Sequence, residues 1–336
     1  MKKQFVPLVL AITAMIAAGC ATDSTMSNNN SARKHFNSWI KVNYPNAPRT
    51  DLGVYILEDE EGTGVTVGDE DTHPYVYFDY QIYDLDGVIS AYTDASTAKQ
   101  LHEYDSTKYY GPKPTMRLYD GMTVGLEEAM AGMKVGGRRK IAIPGWLNTT
   151  TRYSDEDDYL ANSSGTDVIV NMTLTDAVED LIQFQIDSIE TYMERNLHKV
   201  DSTMWGFYYI QTCPPTDTTS FSSGDVVYFN YTGQLLNGLV FDTSLKNVAK
   251  QHGLYDSTKE YTDSRVTLAE DYEDYAMDGG DEGNMINGFA YCLSLMKAGE
   301  KGIAIFTSDI AYDYQSTDQI PAYAPLRFDI EMIGKK

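Results

Sequence analysis

Residues 226–244 read VVYFNYTGQLLNGLVFDTS. Val226, Tyr228 and Asn230 keep one phase of an alternating run, Asn237-Gly238 is a turn dipeptide, and Leu239, Val240 and Phe241 resume the apolar run. Together these predict a β-hairpin closed by an Asn-Gly turn. Its second arm ends on Phe241-Asp242. Adjacent strand residues point to opposite faces, so this ring and this carboxylate reach one cavity only where the backbone bends.

The hairpin belongs to an internal repeat, which organises the whole chain. Tyr104-Asp105-Ser106-Thr107-Lys108 recurs as Tyr255-Asp256-Ser257-Thr258-Lys259, and the same spacing of 151 carries Tyr80 to Tyr231 and Gly87 to Gly238. Further on, Gly125, Met133-Lys134 and Gly136 recur 163 residues later as Gly288, Met296-Lys297 and Gly299. The second copy therefore holds about 12 extra residues between Lys259 and Met285, among them the acidic Glu270 to Asp274 and the Gly-rich Asp278 to Asn284. A helical stripe precedes each copy. Phe36, Ile40 and Tyr44 form the first, stopped by Pro45; Ile182, Ile186, Ile189, Met193 and Leu197 form the second, with Asp176 or Asp180 as N-cap. Such stripes are packing faces. A strand opened by glycine follows each helix, at Gly53-Val54-Tyr55-Ile56 and Gly206-Phe207-Tyr208-Tyr209-Ile210.

Composition narrows the function. A net charge of −23 repels phosphate backbones and anionic lipid heads, so nucleic acid is not an expected partner. The 336 residues suffice for two domains with separate cores, and 26 tyrosines suit β-rich surfaces and pockets with a wet edge. Glu58 to Glu61 and Asp155 to Asp158 read as solvated charge runs, and histidines 35, 73, 102, 198 and 252 lack ligand spacing. No metal site and no cofactor is expected, and no phosphate loop or nucleophile elbow occurs.

The first 20 residues, MKKQFVPLVLAITAMIAAGC, have a basic start and an apolar run from Phe5 to Ala18, too short to span a membrane, which is the pattern of a secretory signal. Ala17-Ala18-Gly19-Cys20 resembles a bacterial lipobox, with Ala where Leu is commoner; that resemblance implies a lipid anchor on Cys20 in the bacterial envelope, at the outer membrane. Cleavage at an Ala-x-Ala site is the other reading. After Cys20 only Cys213 and Cys292 remain, which permit one disulfide or two free thiols.

Tyr231-Thr232-Gly233, Gly238 and Phe241-Asp242, followed by MINGFAYCLSLMKAGEKGIAIFTSDIAYD and IPAYAPLRFDIEMI, resemble in their order the FKBP-type peptidyl-prolyl cis-trans isomerases over about Gly206 to Ile333. The resemblance implies an α+β fold of two FKBP-like domains, each an antiparallel sheet wrapped on a short helix, with a preceding or linking amphipathic helix. The boundaries expected are a signal peptide over 1–19, a polar tether over 20–30, a helix plus degenerate FKBP-like domain over 31–175, a linker helix over 176–200 and an isomerase domain over 201–336. It also implies the site: Tyr231, Phe241, Asp242, Ile286, Phe289 and Tyr312 as catalytic residues, with Met285, Ile320 and Phe328 binding substrate. Phe289 stands where most active members carry tryptophan, Thr307-Ser308 where the family has Pro-Pro, and Asp313 where it has a glycine.

The two copies differ at the site. Phe241 and Asp242 map to Ser90 and Ala91, Ile286 to Thr123, Phe289 to Leu126, Tyr312 to Thr149 and Phe328 to Val170, whereas Tyr80 persists. The fold survives in the first copy and the pocket residues do not. Rotation about an X-Pro bond needs no nucleophile, metal or proton shuttle; it needs a dry cup that suits the twisted amide better than the planar one. The expected function is isomerisation of X-Pro bonds in exported proteins, with proline-containing unfolded or partly folded polypeptides as partners. The alternatives are a non-catalytic chaperone or binding lipoprotein built from two FKBP-like domains, and a purely structural envelope protein.

Overall fold

In the computed structural model the repeat of sequence becomes a repeat of topology. The described residues are 17–68, 71–117, 121–198, 202–277 and 285–336, with backbone alone described at 17–28, 202–204 and 276–277. The signal up to Ile16 and the Asp278 to Asn284 run lie outside them. The first half carries α1 (Ala17–Asn43), β1 (Tyr55–Glu60), β2 (Tyr75–Tyr83), β3 (Ile89–Tyr92), α2 (Ala95–Gln100), β4 (Lys113–Met116), α3 (Val124–Met130), β5 (Arg138–Ile143), α4 (Glu156–Asn162) and β6 (Val168–Val178). The second carries α5 (Leu181–Asn196), β7 (Ser202–Met204), β8 (Phe207–Cys213), β9 (Val226–Leu235), β10 (Val240–Thr243), α6 (Lys246–Gln251), β11 (Ser264–Thr267), β12 (Ala276–Met277), α7 (Asn287–Leu295), β13 (Lys301–Phe306) and β14 (Leu326–Gly334).

Contacts divide the chain into a first unit of residues up to 94 and 115–179 and a second of residues 95–114 and 180–336. The first sheet runs β1-β5-β6-β2-β3, with β4 also on β2; the second runs β12-β11-β9-β14-β13-β8-β7, with β10 also on β9. Removing β7 and β12 leaves the same antiparallel order twice. The fold is α+β, as the sequence implies. β4 and β11 also keep the 151 spacing, so the extra residues of the second copy fall after Thr267. There they add a short helical turn at Tyr272–Asp274 and the edge strand β12.

Each helical stripe packs as a stripe should. Phe36 and Ile40 are buried in the first core, with Ile141, Leu147, Met172 and Leu174. On α5, Ile189 and Met193 close over Tyr208, Ile210, Ile303 and Ile305 of β8 and β13. Asp180 is the N-cap, its carboxylate accepting the Gln183 N–H at 3.0 Å. One residue on the buried side of α5 is polar. Gln185, 1 % exposed, accepts the Ser308 N–H at 2.7 Å and donates to Ser308 Oγ and the Tyr323 carbonyl, both at 3.0 Å. It ties the helix to the loop after β13.

Three local expectations change. The α1 helix begins at Ala17, so the backbone over 20–30 is helical, and buried Asn29 donates to the carbonyls of Leu160 (2.6 Å) and Ser163 (2.7 Å) beside α4. Glu58 to Glu60 are exposed, as a solvated run should be, but lie on β1 and pair with β5 as Lys140–Glu58 (3.3 Å) and Arg139–Asp59 (2.9 Å). Asp155 caps α4 by accepting the Asp158 N–H at 3.0 Å, so the second charge run is a helix N-terminus, where carboxylates face the positive end of the helix dipole. Of the two cysteine readings, the structure takes free thiols: Cys292 is buried, which raises its thiol pKa, and Cys213 is half-buried. No described helix is long and apolar enough to cross a membrane.

Candidate active site

The site grows from the β9–β10 hairpin. Gly238 turns it at φ +89°, a conformation that favours glycine, while Asn237 Oδ1 accepts the Leu239 N–H at 3.0 Å. Beyond the turn Val240 pairs with Gln234, but Asp242 pairs with Gly233 and Thr243 with Thr232. One residue is extra on β10: Phe241 is a bulge. This is the bend that the Phe-Asp pair requires. β2 and β3 repeat it, with Ile89 opposite Tyr83, Ala91 opposite Ile82 and Tyr92 opposite Gln81, so Ser90 stands at Phe241 and Ala91 at Asp242 with no slip. The supporting bonds repeat too. Tyr231 N–H donates to Ser244 Oγ at 3.0 Å, and Tyr80 N–H to Thr93 Oγ1 at 3.0 Å.

Because of the bulge, the Phe241 ring lies over the backbone of Gly233. A Cβ there would stand 2.6 Å from the Phe241 ring and 2.8 Å from that of Phe328, so the position has room only for glycine. Asp242 turns to the hydroxyl of Tyr231, which donates to its carboxylate at 2.5 Å; the Thr243 N–H donates at 2.8 Å and Lys259 Nζ at 3.2 Å. Around these, ring centroids stand 5.5 Å apart for Tyr231–Phe289, 4.7 Å for Phe289–Phe328 and 5.7 Å for Phe241–Phe328. Phe229 and Phe306 back this layer, each 5.7 Å from a ring of it. Tilted, edge and stacked contacts of this kind add to what burial contributes. Met285 and Ile320 are buried in the same cluster, and half-buried Ile286 is the residue before α7.

Tyr312 sits on the turn after Ser308–Ile310, 39 % exposed, while its neighbours Ile310 and Ala311 pack on the cluster. Burial first, and the charge of Asp242 second, raise the pKa of both its hydroxyl and that of Tyr231, so both stay protonated donors through the neutral range. The departures from the family pattern have local compensation. Asp313, at the family's glycine position, adopts φ +50°, which aspartate tolerates better than most residues, and its N–H donates to the Ser308 carbonyl at 2.8 Å. Thr307 and Ser308 use backbone N–H groups that prolines lack, donating to the Gly206 carbonyl at 3.0 Å and to Gln185.

All nine site residues named from sequence thus lie in the second unit, either in this aromatic cluster or on the loops beside it. Sequence reasoning missed three supports: Phe229 and Phe306, which carry no signal beyond their place in apolar runs, and Lys259, which was visible only as the last letter of a repeated pentapeptide. Among the described residues no His, Cys, Asp and Glu cluster could hold a metal ion. What the arrangement offers is an aromatic wall with the Tyr312 hydroxyl at its edge and the Tyr231 hydroxyl committed to Asp242.

The first unit has a cleft at the equivalent place and lacks three of the rings. A space of about 240 Å³ is bordered by Phe78, Tyr80, Ile82, Leu126, Ile143 and Val170, among others. Leucine, valine and serine stand where the second unit has Phe289, Phe328 and Phe241, and Ala91 offers no carboxylate to the Tyr80 hydroxyl. Thr149, opposite Tyr312, contributes its carbonyl to Val124 N–H at 2.8 Å.

The second unit is therefore an antiparallel sheet packed on helices, with an aromatic cluster at a bulged hairpin. Residues 217–333, about a third of the chain, match the family model of FKBP-type peptidyl-prolyl cis-trans isomerase. The second unit accordingly carries a domain of the FKBP type, and the enzyme class this match supports is peptidyl-prolyl cis-trans isomerase. Among solved structures it is similar to the three FKBP domains of wheat FKBP73, at 14% identity over 84% of this chain and 94% of that one, with a TM-score of 0.29. It is also similar to a peptidyl-prolyl cis-trans isomerase from Pseudomonas syringae pv. tomato, at 21% identity over 48% and 99%, with a TM-score of 0.32. A third is the N-terminal domain of FKBP42 from Arabidopsis thaliana, at 17% identity over 41% and 95%, with a TM-score of 0.29.

Proposed function

We propose that the second unit isomerises X-Pro bonds by desolvating the proline in the cup of Tyr231, Phe241, Phe289 and Phe328. In this reading Tyr312 donates to the substrate carbonyl, Asp242 holds Tyr231, and Met285, Ile286 and Ile320 bound the proline. The observation that carries it is the Phe241 bulge, which sets ring and carboxylate on one cup. A twisted amide has a less polarised carbonyl than a planar one, so leaving water costs the transition state less than the ground state. The barrier to lower is about 18–20 kcal/mol. The test is cis–trans relaxation of a short Xaa-Pro peptide with the full chain. Acceleration supports the reading. Suppression of aggregation without acceleration moves it to the chaperone alternative.

The clients in this proposal are exported or envelope polypeptides, reached from a lipid anchor at Cys20 on the outer membrane of a bacterium. The support is the lipobox-like Ala17-Ala18-Gly19-Cys20 alone. In a bacterial host Cys20→Ala should release the protein from the membrane fraction or leave its signal uncleaved. Unchanged processing and fractionation overturn the anchor.

A further inference from the structure

We infer that Lys259 is a positioning residue for the isomerase reaction, acting through Asp242; the inference rests on the reading of the cup as the reaction site. The Asp242 carboxylate is fixed by three donors: the Tyr231 hydroxyl on Oδ2 (2.5 Å), and the Thr243 N–H (2.8 Å) and the Lys259 ammonium (3.2 Å) on Oδ1. Lys259 also reaches the Thr243 carbonyl at 3.5 Å, so one ammonium spans the side chain and backbone of the bulged strand. The Tyr231 ring packs on Phe289 and Phe328, and the contacts therefore run from Lys259 through Asp242 and Tyr231 to the floor and wall of the cup. An uncompensated carboxylate beside the cup would repel the oxygen of an entering carbonyl. An ammonium at 3.2 Å offsets that charge.

The repeat separates this role from plain architecture. Lys259 ends a rigid loop in which Asp256 accepts both the N–H and the hydroxyl of Thr258 at 2.7 Å, the Tyr261 hydroxyl accepts the Asp256 N–H at 3.0 Å, and the Tyr255 and Tyr261 rings stack at 5.6 Å. The first copy builds the same loop. Asp105 accepts from Thr107 at 2.9 and 2.8 Å, Tyr110 accepts from Asp105 at 3.1 Å, and Tyr104 stacks on Tyr110 at 5.4 Å. The loop is thus a device of the fold, made with or without a pocket carboxylate. What changes is the partner of its lysine. Where Ala91 replaces the aspartate, Lys108 pairs with Asp318 at 2.9 Å, within the second unit to which residues 95–114 belong.

Lys259 and Asp242 are 45 and 44 % exposed, so solvent and salt screen the pair and its effect is modest. Lys259→Met in the full chain should lower kcat/KM on a short Xaa-Pro peptide about two- to fivefold, which is about 0.4 to 1 kcal/mol, and Lys259→Arg should restore most of it. Lys134→Met breaks an exposed pair, Lys134–Glu61, in the first unit and should change nothing. In an Asp242→Asn background Lys259→Met should add no further loss, because the lysine acts through that carboxylate. Raising salt from about 0.05 to 0.5 M should bring the wild type toward Lys259→Met and leave the variant flat; this reading needs only the wild type and stands even if the variant folds poorly. A wild-type rate in Lys259→Met, an additive double variant or a salt-independent wild type overturns the role of Lys259 alone. No turnover by the wild type overturns the reading of the cup, and this inference with it.

Discussion

Removing the ring of Phe241 asks most directly whether the cup works by excluding water. The side chain is 8 % exposed, its ring lies over Gly233, and its edge meets Phe328 at 5.7 Å. Phe241→Ala deletes the bulge's only contribution to the wall and opens the backbone of Gly233 to water. Full burial of such a side chain stabilises by about 1.5–3 kcal/mol. If the bound proline draws on that apolar surface only at the twisted amide, the same amount appears in the barrier. At about 1.4 kcal/mol per tenfold, kcat/KM should fall between about tenfold and a hundredfold. The assay is cis–trans relaxation of an Xaa-Pro peptide, with a thermal melt beside it, because truncating a buried Phe can cost about 3–5 kcal/mol of stability. A folded variant with full activity would refute desolvation at this wall and leave the domain a binding module.

Other perturbations bear on the same cup. Tyr312→Phe keeps the ring and removes one hydroxyl, so it should cost less than Phe241→Ala in the same assay; an equal or greater loss would make the hydroxyl, not the apolar wall, the main contributor. Gly233→Ala places a methyl 2.6 Å from the Phe241 ring and should lower both the melting temperature and kcat/KM; an unchanged variant would mean the ring moves freely. The hydroxyl pKa values of Tyr208, Tyr209 and Tyr231 are raised in the fold, by burial first and by Glu190, Glu300 and Asp242 respectively. Such groups leave stability whole below the unfolded tyrosine value of about 10 and erode it as pH climbs above that. Urea midpoints should therefore be little affected by these tyrosines between pH 7 and 9 and fall beyond about pH 10, while activity stays nearly flat from about pH 6 to 8 because no proton is transferred. A bell-shaped profile over pH 6–8 would contradict the mechanism. Grafting Phe and Asp onto the first unit, as Ser90→Phe with Ala91→Asp in a chain silenced by Phe241→Ala, should restore little turnover, since Leu126, Val170 and Thr149 still stand at the positions of Phe289, Phe328 and Tyr312.

The hairpin and its bend were legible because each depends on local chemistry: an Asn-Gly turn and a ring next to a carboxylate. The register of the first copy was legible because the repeat keeps its spacing on both sides of Ser90, and β2–β3 pair accordingly. Gln185 was not legible. A polar residue on an apolar helical stripe reads as solvent-facing until the loop it anchors is known, and that loop lies more than 120 residues away. The start of α1 was missed for a related reason, because the docking of Asn29 against Leu160 and Ser163 is long-range. Lys259 had no local signal, since only the folded chain brings it to Asp242.

The duplicated chain also explains why fold and pocket can part company. The residues that make the sheet are those whose partners lie across a ladder or under a helix: Phe36, Ile141 and Met172 in one unit, Ile189, Tyr208 and Ile305 in the other. Those that make the cup, Phe241, Asp242 and Phe289, are set by the bulge and by the first turn of the short helix. Replacing the latter with serine, alanine and leucine leaves every strand pair in place, down to the bulge itself, because a bulge is a backbone count and not a side-chain contact. Phe289, Phe328 and Phe241 form one connected ring contact, so the loss of one loosens the others, whereas the ladder of the first unit persists with all three replaced. The first unit thus has a cleft in which Phe78 and Tyr80 stand beside Ile82, Leu126, Ile143 and Val170, and the two halves differ in a few side chains rather than in their ladders.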